Sequence, residues 1–208
     1  LVDARVERAL AASQIPSFLF LTRAPNRMAR EDEITPSGMF AYAPHALWGK
    51  DDSPLHTLAD LAALAHKEDQ GRRRLIIAGV GSYTDQHLAS LALDRALGIK
   101  SVYYPLSSTV EAVTLTERSL IHACWGYALP PQSMPGMRPI AVAARGRSAA
   151  LPDTPTFQEQ NLDFSSGSHF GIAMASSTPE LIQKKMSDRL ASLLTDPSFQ
   201  KRYAAVSY

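Results

Sequence analysis

Disulfide chemistry is the first thing this sequence lacks. One cysteine, Cys124, in 208 residues forbids an internal disulfide and cannot alone make a thiolate metal site. An excess of either charge is missing too, since 21 Lys and Arg face 20 Asp and Glu, a formal net charge of +1. That balance gives no broad electrostatic footprint for nucleic acid or an anionic membrane, so no nucleic-acid partner is expected. Arg72-Arg73-Arg74 is the only basic cluster, and a solvated turn accounts for it. No apolar run approaches the roughly 20 residues that cross a bilayer. Leu1-Val2-Asp3-Ala4-Arg5 lacks the charged-then-apolar order of a signal peptide, and the chain does not begin with Met. Leu1 is therefore read as an artificial or proteolytic boundary, which leaves a periplasmic address open. Internal repeats and low-complexity tracts are also missing.

What is there is ordinary core material. With 45% hydrophobic and 20% charged residues, the composition is that of a folded protein. The length suits one large or two small domains. Val2, Val6 and Leu10 predict a helix over Val2 to Ala12. Phe18-Leu19-Phe20-Leu21 predicts a strand, Asn26 to Glu33 a loop, and Met39 to Tyr42 a strand stopped by Pro44. A helix is expected over Thr57 to Lys67, with Leu58, Leu61, Ala62 and Ala65 on its buried face. Leu75 to Ala78 reads as a buried strand. Asp85 to Leu97 reads as a helix with Leu88, Leu91, Ala92 and Ala96 inward, ended by Gly98. Val102 to Tyr104 is the next strand, and a short helix starts at Val110. Leu120 to Trp125, Pro139 to Ala144 and Phe170 to Ala175 complete the strands. Thr156 to Glu159 has the pattern of a capping box. Thr178-Pro179-Glu180 and Asp196-Pro197 open the last two helices, the first running to about Leu194. Strands alternating with helices predict an α/β fold with a largely parallel sheet.

The chemistry concentrates where strands meet helices. Gly79-Val80-Gly81-Ser82-Tyr83-Thr84 follows a strand directly and precedes a helix. Glycines let a ligand approach the backbone, and the N–H groups of a helix start attract an anion. The hydroxyls of Ser82, Tyr83 and Thr84 would add donors, so a carboxylate is the apt guest. An ordinary tight turn explains the spacing equally well. The turn lacks a third glycine for a dinucleotide fingerprint and a Gly-Lys-Ser/Thr for a P-loop. Asp85 would repel a phosphate. Ser107, Ser108 and Thr109 form a second such turn, which helix capping also explains. In neighbouring units of one parallel sheet, both turns would open on the same edge.

Catalytic candidates are weak. His122 and Cys124 would point to opposite faces of a strand, which denies a nucleophile its base. The remaining histidines are scattered without metal-ligand spacing, and no Gly-x-Ser-x-Gly elbow occurs. Asp51-Asp52 and Glu31-Asp32-Glu33 read as solvated loop, and Trp48, Trp125 and Tyr127 as core or rim aromatics. No enzyme activity, cofactor or metal is expected.

Longer motifs carry a resemblance. Pro139 to Arg147 followed by Leu151-Pro152-Asp153-Thr154-Pro155-Thr156 and Glu159 resembles the hallmark of the solute receptors of tripartite tricarboxylate transporters, the Bug-type receptors. So does Phe170-Gly171 leading to Thr178-Pro179. Gly79-Val80-Gly81-Ser82 with His87-Leu88-Ala89 is similar to that family's Gly-x-Gly-Ser-x-x-His-Leu-Ala. Thr35-Pro36, Phe40 and Pro44 look like the strand that crosses between its lobes. The resemblance runs from about Ala11 to the C-terminus. It implies a type-II periplasmic-binding fold with a ligand cleft between two lobes. Residues 1–42 and 170–208 would form an incomplete first lobe, and residues 43–169 the second. Ligand contacts would come from Gly79 to Thr84, Ser107, Ser108, Thr109, Tyr127 and His169.

Four departures stand out. The family's first strand and its Gly-Gly turn have no counterpart, which places the start of the chain inside the first lobe and leaves apolar faces prone to self-association. Tyr83-Thr84-Asp85 adds length and an acid before His87. Leu106-Ser107-Ser108-Thr109 replaces the family's Tyr-Lys-Gly-Gly, and His169 stands where tryptophan is common. The leading expectation is a periplasmic receptor that hands a small organic acid to membrane transporter subunits. A ligand-sensing module of the same fold and an α/β enzyme with an oxyanion-type turn remain as alternatives.

Overall fold

The computed structural model describes residues 9–10 and 31–204. The chain divides into two contact units, one of residues Ala43–Gly167 and one of Leu1–Tyr42 with Ser168–Tyr208. β1 is Ala9–Leu10 and β2 is Ile34–Lys50. The helix expected over Val2 to Ala12 is corrected at Ala9 and Leu10, which pair antiparallel with Met174 and Ala173. A ladder partner overrides helical spacing there. The rest of that segment, the Phe18–Leu21 strand and most of the Asn26–Glu33 loop lie outside the described residues. Glu31–Glu33 itself is a 3-10 turn.

β2 does not stop at Pro44. Its ladder with the following sheet begins at His45, so no strand partner asks Pro44 for the N–H it lacks. The Pro44 carbonyl accepts from the Ala128 N–H at 2.9 Å.

Within Ala43–Gly167 the chain continues through α1 (Leu58–Gln70), β3 (Leu75–Val80), α2 (Asp85–Leu97) and β4 (Ser101–Leu106). Then come α3 (Thr109–Glu117), β5 (Ala123–Tyr127) and β6 (Met137–Val142). The strands lie in the order β6-β2-β5-β3-β4. β3 runs parallel to both β4 and β5, whereas β2 is antiparallel to β5 and β6. The β2–β6 register shifts between Leu47 and Trp48, where Trp48 faces Pro139, a residue with no N–H for a ladder. β3 lies between β5 and β4, and its Leu75, Ile77 and Ala78 are completely buried. An apolar run without alternation suits a strand covered on both faces. Leu75 and Ile77 each contribute about 1.5–3 kcal/mol by leaving water.

α1 is opened by a capping box. The Thr57 hydroxyl accepts from the Asp60 N–H at 3.1 Å, and the Asp60 carboxylate accepts from the Thr57 N–H at 2.8 Å. Its Leu58, Leu61 and Ala65 are buried as expected. α2 has the expected ends, with Gly98 in the left-handed region at φ 65°, but its inward face is rotated. Leu88 and Leu91 are 41% and 56% exposed, Ala92 and Ala96 are exposed too, and Gln86, Ala89, Ser90 and Leu93 are buried instead. The capping box at Thr156 and Glu159 forms, yet only a 3-10 turn, Gln158–Gln160, follows it. Asn161 ends that turn at φ 64°. Both tryptophans of the chain, Trp48 and Trp125, lie buried in this unit. Trp48 donates its indole N–H to the Tyr127 carbonyl at 3.2 Å, and Trp125 stacks on Phe157.

The other unit contains β7 (Gly167–Ala175, entered at Ser168), α4 (Glu180–Thr195) and α5 (Pro197–Ala204) beside the first part of β2. α4 packs closely on that strand. A Cβ at Gly38 would meet Leu190 Cδ2 at 2.7 Å, and Ser187 Oγ donates to the Ser37 carbonyl at 2.9 Å. α4 starts one residue later than its Thr-Pro signal suggests. Pro179 is the cap, and the Thr178 carbonyl instead accepts from Gln183 Nε2. Asp196 caps α5, accepting from the Ser198 N–H at 2.7 Å. Leu181, Ile182 and Leu193 of α4 are exposed.

Candidate functional site

The order of strands determines which strand ends lie side by side. From β3 the chain crosses through α2 to β4 on one side, then returns through α3 to β5 on the other. The carboxyl ends of β3 and β5 therefore flank a topological switch point, the usual crevice of an open α/β sheet. The Gly79–Thr84 turn and Tyr127 lie at that edge. So does the second turn, because Gly79 and Val80 pair with Pro105 and Leu106.

Side chains from several elements hold the first turn. Tyr103 of β4 donates its hydroxyl to the Gly81 carbonyl at 2.8 Å, and the Gly81 N–H donates to the Leu106 carbonyl at 2.9 Å. Gly81 stands at φ 75°, and a Cβ there would lie 2.8 Å from Thr84 Cγ2. A Cβ on Gly79 would lie 2.8 Å from the Tyr103 hydroxyl and 3.0 Å from Gln86 Oε1. Glycine is required at both positions by protein contacts, whatever the turn binds. Gln86 Oε1 also accepts the Val80 N–H at 2.7 Å, and His87 Nδ1 accepts the Tyr83 N–H at 3.2 Å. The N–H groups of Val80, Gly81 and Tyr83 are thus already engaged. Thr84 is the N-cap of α2. Its hydroxyl accepts from the His87 N–H at 3.4 Å and donates to the Val80 carbonyl at 2.9 Å. Ser82 is exposed at the tip beside Tyr83, which sits at φ 61°.

Electrostatics at this edge centre on a residue that pattern reading missed. His45, fully buried at the start of the β2–β5 ladder, places Nε2 3.5 Å from Asp85 Oδ2. Its Nδ1 lies 3.0 Å from the Ser166 hydroxyl, and its ring centroid is 5.7 Å from that of Tyr127. Asp85 Oδ1 accepts from the Gln86 N–H at 2.9 Å. The acid that sequence reading placed beside the turn therefore faces inward. Burial, with the Asp85 charge adding to it, pushes the Tyr103 phenol up to about 12. His87 is stacked on Tyr103 with centroids 4.3 Å apart, and burial lowers its pKa.

The second turn is simpler. The Ser108 hydroxyl accepts from the Glu111 N–H at 3.3 Å, and the Glu111 carboxylate accepts from the Ser107 N–H at 2.7 Å. Ser107, Ser108 and Thr109 are all exposed. Helix capping accounts for every bond recorded there. His169 belongs to the other unit, where its ring lies 4.6 Å from Tyr42. Cys124 is fully buried, which pushes its thiol up to about 12 and keeps it unreactive at neutral pH. Among the described residues no cluster of three His, Cys, Asp or Glu could hold a metal. No described helix is long and apolar enough to cross a membrane.

Known proteins share this fold. The family described as tripartite tricarboxylate transporter family receptor (TctC) matches residues 21–207. A relative from Agrobacterium vitis, described as a UPF0065 protein in the TAR-I ttuE-ttuC' intergenic region, is 27% identical over 179 residues. That match takes in 84% of this chain and 51% of the relative. Among solved structures, MatC from Rhodopseudomonas palustris with bound malate superposes at TM-score 0.75 and 21% identity, over 93% of this chain and 66% of its own. Rpa4515 from R. palustris with adipate does so at 0.77 and 19%, with the same coverage. The periplasmic binding protein BugD reaches 0.71 and 22%, over 90% of this chain and 64% of its own. These likenesses establish the α/β fold, and the chain spans about half to two thirds of the length of such relatives. With nearly all of its residues inside the family match, the chain belongs to the tripartite tricarboxylate transporter receptor family.

Proposed function

We propose that the chain is the larger part of an extracytoplasmic solute receptor, periplasmic in location, that captures a small organic carboxylate between two lobes. It hands that acid to the subunits of a tripartite membrane transporter and catalyses no reaction. The observation that carries this reading is the meeting of two hydroxyl-bearing helix starts at one sheet edge, tied by the Gly81 N–H on the Leu106 carbonyl. Helix starts attract anions through their dipoles. The exposed hydroxyls of Ser82, Ser107 and Thr109 supply donors there, with Tyr127 and His169 as further ligand contacts. Malate bound to MatC and adipate bound to Rpa4515 support a dicarboxylate as the class of ligand. The exposed Leu181, Ile182 and Leu193 of α4 support self-association of the chain.

Calorimetric titration with malate and adipate tests the reading. Saturable binding is expected, and a dicarboxylate at a hundred times its Kd should raise stability by about 2.7 kcal/mol. No heat and no thermal shift across a series of di- and tricarboxylates would overturn it.

A further inference from the structure

We propose that His45 determines whether the site tolerates an anion, by holding the carboxylate of Asp85 turned inward from the Gly79–Thr84 turn. The inference rests on the receptor reading given above, and names a specificity-determining residue for it.

Asp85 is the first residue of α2, directly behind the turn that would receive the acid. A carboxylate free at that position would oppose a second carboxylate brought in as ligand. Its two oxygens are instead directed elsewhere. Oδ1 accepts from the Gln86 N–H at 2.9 Å, and Oδ2 faces His45 Nε2 at 3.5 Å. The Asp85 side chain is only 11% exposed and that of His45 not at all.

His45 is itself fixed at its ring and at both backbone polar groups. Its Nδ1 is 3.0 Å from the Ser166 hydroxyl, its backbone N–H donates to the Ser166 carbonyl at 3.0 Å, and its carbonyl accepts from the Ala143 N–H at 2.8 Å. The Ser166 contact turns the ring so that Nε2 faces Asp85. A positioning residue in the β2–β5 ladder thus governs the charge presented by another element, while Glu111 at the second turn has only its own loop to hold it.

The test uses His45→Gln, Asp85→Asn and the double variant in the full chain, with two readouts. The first needs no ligand. Carbodiimide coupling to glycine ethyl ester, read by mass spectrometry, reports which carboxylates solvent reaches. Asp85 should label more slowly than Glu111 in the wild type and catch up with it in His45→Gln. The second readout is calorimetric titration with adipate and with its uncharged analogue adipamide. A carboxylate released to about 7 Å from the bound acid should weaken adipate roughly tenfold or more in His45→Gln and leave adipamide unchanged. The double variant should recover adipate affinity to within about threefold of the wild type.

Unchanged labelling of Asp85 in His45→Gln, or an adipate loss that the double variant does not recover, would overturn the proposal. If the wild type binds neither adipate nor any other acid of the di- and tricarboxylate series, the receptor reading fails while the labelling still decides whether His45 holds Asp85. Should His45→Gln not fold, Asp85→Asn decides alone. An acid already turned away predicts adipate affinity within about threefold of the wild type, and a gain of about tenfold would overturn the idea.

Discussion

The two turns at the sheet edge are made of the same materials and held in different ways. Both follow a parallel strand, both carry hydroxyl residues and both open a helix. The Gly79–Thr84 turn is fixed from outside, by Tyr103 and the Leu106 carbonyl as well as by Gln86 and His87 of the helix it starts. The Ser107–Thr109 turn is fixed only by Ser108 and Glu111, within its own cap. A hydroxyl on the first is therefore aimed by the fold, whereas one on the second follows a local loop. Preorganised donors are the ones that hold a ligand without an ordering cost, so under the proposed function the first turn is the better anchor.

Substituting glycine should give the largest contrast. Gly81→Val forces a branched side chain to φ 75° and drives its Cβ against Thr84, at about 2–3 kcal/mol or more. Chemical denaturation measures that, and a loss no greater than for a residue in the second turn would erase the distinction. Ser82→Ala should weaken dicarboxylate binding about tenfold or more, since a hydrogen bond to a charged group is worth about 1.5–3 kcal/mol. Ser107→Ala should cost less, and equal losses by calorimetry would show that the rigid turn has no advantage.

Tyr103→Phe should cost about 1–2 kcal/mol at neutral pH, because the Gly81 carbonyl loses the closer of its two hydroxyl donors, Tyr103 rather than Thr84. The phenol is raised from 10.0 to about 12, so burial favours its neutral form. The stability it contributes is whole below pH 10 and is lost as pH rises through about 12. The gap between wild type and Tyr103→Phe in denaturant midpoint should narrow over that window, and a widening gap would contradict the burial of the ring. Ser108→Ala should have the smallest effect, about 0.5–1 kcal/mol for a lost cap, with little change in ligand affinity. A large affinity change there would move the anchor to the second turn.

Much of this edge was legible in the sequence. The ends of α2 follow from Thr84, Asp85 and Gly98, and the turn before it from two glycines behind an apolar strand. The buried face of α2 was not legible. Leu88 and Leu91 outrank Gln86 and Ser90 on any apolarity scale, yet Gln86 turns inward because the Val80 N–H needs its amide oxygen. Tertiary hydrogen bonding overrode the stripe. His45 was invisible for a related reason. Its partner Ser166 is 121 residues away, and a lone histidine in an apolar strand carries no spacing signal. Pro44 misled in the opposite direction, because its lack of an N–H matters only where a neighbouring strand asks for one. The family motifs, in contrast, were readable as continuous words, Leu151 to Thr156 above all.

The location of the tryptophans has a spectroscopic consequence. Trp48 and Trp125 both lie in Ala43–Gly167, one against the Tyr127 carbonyl and the other against Phe157. Excitation near the red edge of protein absorbance therefore illuminates only that unit, and α4 and α5 are dark. A melt followed by indole emission reports the loss of the sheet that carries the two turns. Far-ultraviolet dichroism, which sees the helices everywhere, reports both units. Coincident curves mean that the two units unfold together, and curves that separate resolve a second transition with no label attached to the protein.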